Sequence, residues 1–396
     1  MCKQEEKRFQ GEMIWGMTGL DTDQIYTVRS QQARRIHIGG PTAGKPEIHG
    51  MQNGELLAAY ARNYSADTSK SLLQIPGPMF NEVRWSSDGG STWSEPVVPI
   101  SPDAIGPNYE GRILQLPDGR LLMATVGRDH SGPHVVSAGP FFTESKDFGR
   151  TWSAPWKMDC SAVWTDGHGW PTRQNIVCPD GSIILFASNY NLNVNRRFET
   201  WAFRSTDGGR TVSDHWFIGK DCHDQSFVRL PSGKFVALLR LFGLRMPREE
   251  LPYGYHPEWD DNNEGHDFLA ITESEDEGHT WSPPRPVTYY MEVPGHLLPL
   301  ADGRLLLTHG VRHYPMGAQA LISADEGKTW DTENRLMLCW FGALCWNAPH
   351  PYPNGHPFST QRADGKVITA YYRTTDPEDY LSTIVEGVIW DLPVGE

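Results

Sequence analysis

Nine residues before the glycine of each of six similar turns stand Lys45, Glu110, Thr172, Asp224, Pro294 and His356. Neighbouring positions add Tyr109, Arg112, Arg173, His223, Gln225 and His296, and seven residues after the fourth glycine stands Arg240. Glu47 and His49 lie slightly further along the first of these segments. Carboxylates and imidazoles move protons as general acids and bases. Imidazole is available in its neutral form near pH 7. Guanidinium groups hold anions through paired hydrogen bonds, which lysine cannot match. A set this polar on otherwise apolar segments fits a site for a polar substrate. It also fits the lining of a solvent channel, and His356 also fits a residue that contacts substrate without reacting.

The segments that carry these residues repeat. "HGMQNGELLAAYAR", "ILQLPDGRLLMATVGR", "NIVCPDGSIILFASN", "SFVRLPSGKFVALLR", "LLPLADGRLLLTHGVR" and "STQRADGKVITAYYR" each read as an apolar run, a turn ending in glycine, and a second apolar run. That pattern predicts a β-hairpin. Between them a second element recurs: "SSDGGSTW", "SKDFGRTW", "STDGGRTV", "SEDEGHTW" and "SADEGKTW". An aspartate in a tight turn accepts hydrogen bonds from nearby backbone N–H groups, and the tryptophan buries a large apolar surface between sheets. Asp88, Asp147, Asp207, Asp276 and Asp325 are therefore read as structural. Val212 stands where the third turn should have its tryptophan, so that turn is expected to pack less well. Hairpin, loop, strand, box turn and strand make one four-stranded antiparallel blade. Six such blades predict an all-β protein, a six-bladed propeller occupying residues 1–396 as one domain. The last blade lacks an outer strand, which the N-terminal region near "DQIYTVR" is expected to supply. Both kinds of turn lie at one end of the strands, so the polar residues gather at the other end, near the axis.

Five boxes of the form S-x-D-x-G-x-T-W, interleaved with six hairpins over nearly the whole chain, resemble the sialidase (neuraminidase) superfamily. The resemblance implies an exo-glycosidase without a cofactor, acting on a glycan with a terminal acidic sugar. It places Asp224 and Arg240 at the blade-four carboxylate and arginine, so that Arg240 grips the substrate carboxylate, with Arg312 as a second member of an arginine cluster. Sialidases carry a tyrosine nucleophile in blade six, where this chain has His356; a neutral imidazole equally avoids repelling the sugar carboxylate. The Arg-Ile-Pro motif expected in blade one reads "GKPEIHG", with Lys45 near the arginine position and Glu47 replacing an apolar residue. Arg34 or Arg35 are alternative sources of charge there. The acid/base expected after blade one maps onto Asp67, with Glu47 and Glu110 as alternatives. Further contacts to substrate are read at Lys45, Glu110, Arg112, Arg173, Gln225 and His296. The insert "MPREELPYGYHPEWDDNNEGHD", rich in aromatics and carboxylates, is expected to rim the site.

Composition narrows the classes. A net charge of −14 over 396 residues argues against a general nucleic-acid binder, which needs a basic face. No apolar run is long enough to span a membrane, and the mean hydropathy is −0.50. The six cysteines form no CxxC pair, and neither HExxH nor a calcium loop occurs, so no metal is expected. The N-terminal "MCKQEEKRF" has no apolar signal core, which predicts a cytoplasmic protein. The alternative is a lipoprotein whose signal was removed before Cys2. Three functions remain open: the sialidase-like hydrolase, a glycosidase or lyase on another uronic-acid or deoxysugar polysaccharide, and a non-catalytic glycan- or protein-binding propeller.

Overall fold

A computed structural model of the chain describes residues 33–63, 79–129, 136–161, 169–171, 173–190, 198–220, 222–241, 267–289, 291–312, 316–332, 334–340, 355–376 and 382–393. Asp67, Thr172, the segment "DQIYTVR", the N-terminal cysteine and the insert before Asp267 lie outside these residues. The strands assemble into six antiparallel sheets, each ordered from an innermost strand outward. The innermost strands are Ala43–Gly50, Asn108–Gln115, Ile176–Val177 continuing Gly169–Pro171, Cys222–Arg229, Gly295–Pro299 and Gly355–Gln361. The protein is a six-bladed β-propeller of four-stranded antiparallel blades. In the first blade the outermost position is reduced to a single bridge between Val83 and Val97.

The last blade is completed by Arg34–Gly39, which pairs with Thr383–Trp390. The closing strand thus lies downstream of the expected "DQIYTVR". Arg34 is spent at the periphery, where its guanidinium donates to the Ser91 hydroxyl at 2.8 Å. Arg35 is half exposed and 4.0 Å from Glu386. Neither arginine belongs to the hub, because the strand that carries them is the outermost of its blade.

Apolar faces meet between blades. Val228, Val236, Leu238 and Leu269 of the fourth pack against Leu297, Leu305, Leu307 and Leu321 of the fifth, all buried. Burying side chains of this size contributes about 2 kcal/mol each. Gly295 shows how tight the fit is, since a Cβ there would stand 2.5 Å from Leu238 Cδ2.

The five repeated turns share one hydrogen-bond pattern. In the first, Asp88 Oδ1 accepts from the backbone N–H of Ser91 and Thr92, and Oδ2 accepts from the Thr92 hydroxyl at 2.7 Å. Asp147, Asp207, Asp276 and Asp325 repeat it with Thr151, Thr211, Thr280 and Thr329. The serine opening each turn accepts from the glycine four residues on, as Ser145 does from Gly149 at 2.8 Å. In the second and fourth turns the indole closes the motif, Trp152 donating to Gly149 and Trp281 to Gly278. The third turn departs from the expectation of poorer packing. Trp156, from the neighbouring second blade, donates to the Gly209 carbonyl at 3.1 Å, and Arg210 lies over its ring. A residue distant in sequence fills the place that Val212 leaves.

Candidate active site at the hub

An innermost strand has one edge without a strand partner, and its N–H groups there need other acceptors. One rule meets this need at three blade junctions. The residue seven before a turn glycine accepts, through its side chain, from the N–H six before the next blade's glycine. Glu47 accepts from Ile113 at 3.0 Å, Ser226 from Leu297 at 2.9 Å, and His296 from Ser359 at 3.2 Å. Polar side chains on buried strands are thereby explained at these positions by the architecture itself.

Just above that level the ladders bulge. In blades one, two, four and six the register shifts by one residue, between Gly44 and Glu47, Tyr109 and Arg112, His223 and Ser226, and Gly355 and Phe358. A bulge re-aims a side chain and increases local twist. Lys45, Glu110 and His356, the residues nine before their glycines, sit in these bulges with φ of 50°, 55° and 48°. Such values are costly for residues other than glycine, by about 1–3 kcal/mol, and cluster at functional sites. Asp224 and Gln225 occupy the corresponding bulge of blade four; their side chains lie outside the described set.

A charged chain runs along the wall of blades one and two. Lys45 pairs with Glu110, and Glu110 accepts from Arg112 Nη2 at 2.5 Å. Arg112 Nη1 donates to Glu47 Oε1 at 3.2 Å, and Glu47 Oε2 also meets His49 Nε2 at 3.1 Å. Glu47, Glu110 and Arg112 are buried, whereas Lys45 and His49 at the two ends are partly open. Asn81 supports the Glu110 bulge by accepting from the Gly111 N–H at 2.8 Å.

In the adjoining blade six, Phe358 lies between two imidazoles, 3.7 Å from the His296 ring and 4.9 Å from that of His49. His296 Nδ1 accepts from Ser359, so its proton resides on Nε2, which has no hydrogen-bond partner among the described residues. Burial, then Arg173 and His49, hold its pKa well below 6.5, and the ring is neutral. His356 is buried and faces Tyr372 with ring centroids 5.6 Å apart.

Arg173 crosses the axis. From blade three it donates Nη1 to the carbonyl of Gly295 and Nη2 to that of Pro357, both at 2.9 Å. All three residues stand eight before their turn glycines, so the guanidinium lies at one level of the hub, next to the bulges. It spans the hub at that level, joining blade three to blades five and six. Arg240 is equally buried and donates Nε to Asp267 Oδ2 at 2.7 Å. Its strand neighbour in register is His223. Arg312 is buried after the strand Leu305–Val311, its N–H bonded to Met291 O at 2.9 Å.

Two residues escaped the sequence reading. Tyr372 stands seven after the sixth glycine, the same count that singles out Arg240 in blade four. Asp267, the last residue of the insert, is the carboxylate that precedes the strand paired with Arg240. Among the described residues no group of three histidine, cysteine or acidic side chains could hold a metal ion, and no helix is long and apolar enough to cross a membrane. Cys160, Cys178, Cys222 and Cys339 are buried.

No protein-family model matches the chain. It is 22% identical over 362 residues to a sialidase of Micromonospora viridifaciens, a match covering 85% of this chain and 51% of that protein. The chain therefore spans about half the length of that curated relative. Among solved structures, a protein of unknown function from Dyadobacter fermentans is similar with a TM-score of 0.70 at 20% identity, over 92% of this chain and 99% of that one. The Hadza microbial sialidase Hz136 has a TM-score of 0.62 at 16% identity, over 88% of this chain and 66% of its own. At these identities the likeness is one of fold, a six-bladed propeller shared with sialidases.

Proposed function

We propose that the protein is a sialidase-like exo-glycosidase that hydrolyses a terminal acidic sugar from a glycan at the bulged end of the hub. The observation that carries this reading is the placement of Lys45, Glu110 and His356 at positive-φ bulges of three separate blades. Four blades of a fold shared with sialidases thus bulge at the same level, and Asp224 stands in the fourth blade's bulge. In this reading His356 attacks the anomeric carbon, the glycosidic C–O bond breaks, and Asp67 protonates the departing oxygen. Water then displaces the imidazole and gives the free sugar. Asp224 takes or orients the imidazole proton. Arg240 anchors the sugar carboxylate, with Arg312, Lys45, Arg112, Gln225 and His296 lining the remainder. A neutral nucleophile suits a carbon that bears a carboxylate, because no like charges meet.

The test is release of free sugar from a panel of sialosides and other acidic glycans. His356→Gln and Asp224→Asn should each lower kcat by at least about 100-fold, the range of a lost nucleophile or proton-transfer group. No release from any sialoside rejects the sialic-acid assignment.

One observation favours a second reading. Lys45 is paired with Glu110, Arg112 with Glu47 and Glu110, and Arg240 with Asp267. A hub whose cations already have carboxylate partners attracts a free carboxylate less than an open arginine cluster does. A glycosidase acting on a deoxysugar polysaccharide fits that balance; a uronic-acid polysaccharide, which brings its own carboxylate, is the substrate of the lyase alternative. An unsaturated product absorbing in the ultraviolet distinguishes the lyase, and binding without turnover identifies a glycan-binding propeller.

A further inference from the structure

Arg173 directs two of its hydrogen bonds to backbone carbonyls of other blades. It sits in blade three and reaches to blade six, diametrically opposite, with blade five alongside. The acceptor in blade six is the Pro357 carbonyl. His356 and Pro357 together face a single residue, Tyr371, on the adjoining strand. The Pro357 peptide group is therefore part of the bulge that gives His356 its left-handed backbone, and no regular ladder holds it. A guanidinium presents its donors as a rigid planar fork, which lets one side chain fix two carbonyls at once.

We propose that Arg173 is a positioning residue for His356 and not a contact to substrate. Its fork pins the Gly295 and Pro357 carbonyls at one level of the hub and so fixes the direction in which the blade-six bulge presents the imidazole. The inference rests on the reading of His356 as the reacting group, and it assigns Arg173 a task within that site. A displacement of about 1 Å at a reacting group costs up to about 100-fold in rate. Lysine cannot span both carbonyls, and glutamine retains a neutral donor for one.

The experiment compares Arg173→Lys and Arg173→Gln with the parent protein by three measurements. These are kcat and KM on the glycan that the parent hydrolyses, imidazole NMR of histidine-labelled protein with the His356 signals assigned from His356→Gln, and the urea unfolding midpoint. The expected result is a fall in kcat of about 10- to 100-fold with KM within about threefold, and displaced or broadened His356 signals in variants that remain folded. Three outcomes overturn the proposal. KM rises while kcat holds, which makes Arg173 a substrate contact. The His356 signals stay unmoved in a folded variant. Neither variant folds, which makes the clasp a requirement of the whole ring. If the parent protein hydrolyses no glycan, the catalytic reading fails, yet the imidazole spectra still decide whether Arg173 sets His356.

Discussion

Trp156 of the second blade donates its indole N–H to the Gly209 carbonyl of the third at 3.1 Å, the position that Trp152 and Trp281 hold within their own turns. Trp156→Phe removes the hydrogen bond and is expected to cost about 1 kcal/mol. Trp156→Ala also removes the packing against Phe142 and is expected to cost about 3 kcal/mol. Restoring the repeated sequence with Val212→Trp should destabilise by about 1–3 kcal/mol, because the space is already filled. Urea unfolding of the three variants checks the order.

Glu47 is placed to hold the ring together. Its two oxygens serve Arg112, Ile113 and His49. Glu47→Gln leaves a buried guanidinium with half its charge compensation and is expected to cost about 3 kcal/mol, the lower end for breaking a buried pair, since Glu110 remains. A fall in the urea midpoint accompanied by near-normal kcat in the folded fraction supports this placement. Loss of kcat at unchanged stability would instead return Glu47 to the acid/base candidates.

The repeated turns set the acid limit of the fold. Burial is the largest influence on Asp207 and Asp325 and pushes their pKa up. The threonine hydroxyl, the threonine N–H and the serine hydroxyl together outweigh it and leave both at about 2. A carboxylate with a lowered folded pKa contributes stability that is present above its unfolded value of 3.8 and lost as pH falls through about 2. Urea midpoints should therefore decline between about pH 4 and pH 2. The decline should be shallower in Asp207→Asn/Asp325→Asn, although that variant is less stable at neutral pH.

Much of this architecture is legible in the residues. A turn glycine between two apolar runs, six times over, fixes the hairpins, and counting back from it locates the bulges. The count finds Lys45, Glu110 and His356 because a bulge position depends on distance from the turn within one strand. It does not find Asp267, whose partner Arg240 lies beyond a long insert, nor Trp156, which reaches its turn from another blade. It also does not reveal what a polar residue at the hub is for. The unpaired strand edges that Glu47 and His296 cap appear only in three dimensions.

His296 supplies a prediction at milder pH. Burial, then Arg173 and His49, depress its pKa well below 6.5. The stability tied to the neutral ring is present above the unfolded value of 6.5 and is lost as pH falls below it, because only the unfolded chain takes up the proton. His296→Gln should lessen the fall in urea midpoint between pH 7.5 and pH 5.5, conditions of roughly one unit either side of an ordinary histidine pKa. An unchanged pH dependence would place a charged ring at this site.

The most direct measurement is a crystal structure of the protein soaked with an acidic sugar that it binds or releases. The account predicts the sugar at the bulged end of the hub, its carboxylate on Arg240 and its anomeric carbon within reach of the His356 imidazole. Density for the sugar elsewhere on the surface, with His356 and Arg240 untouched, would contradict it.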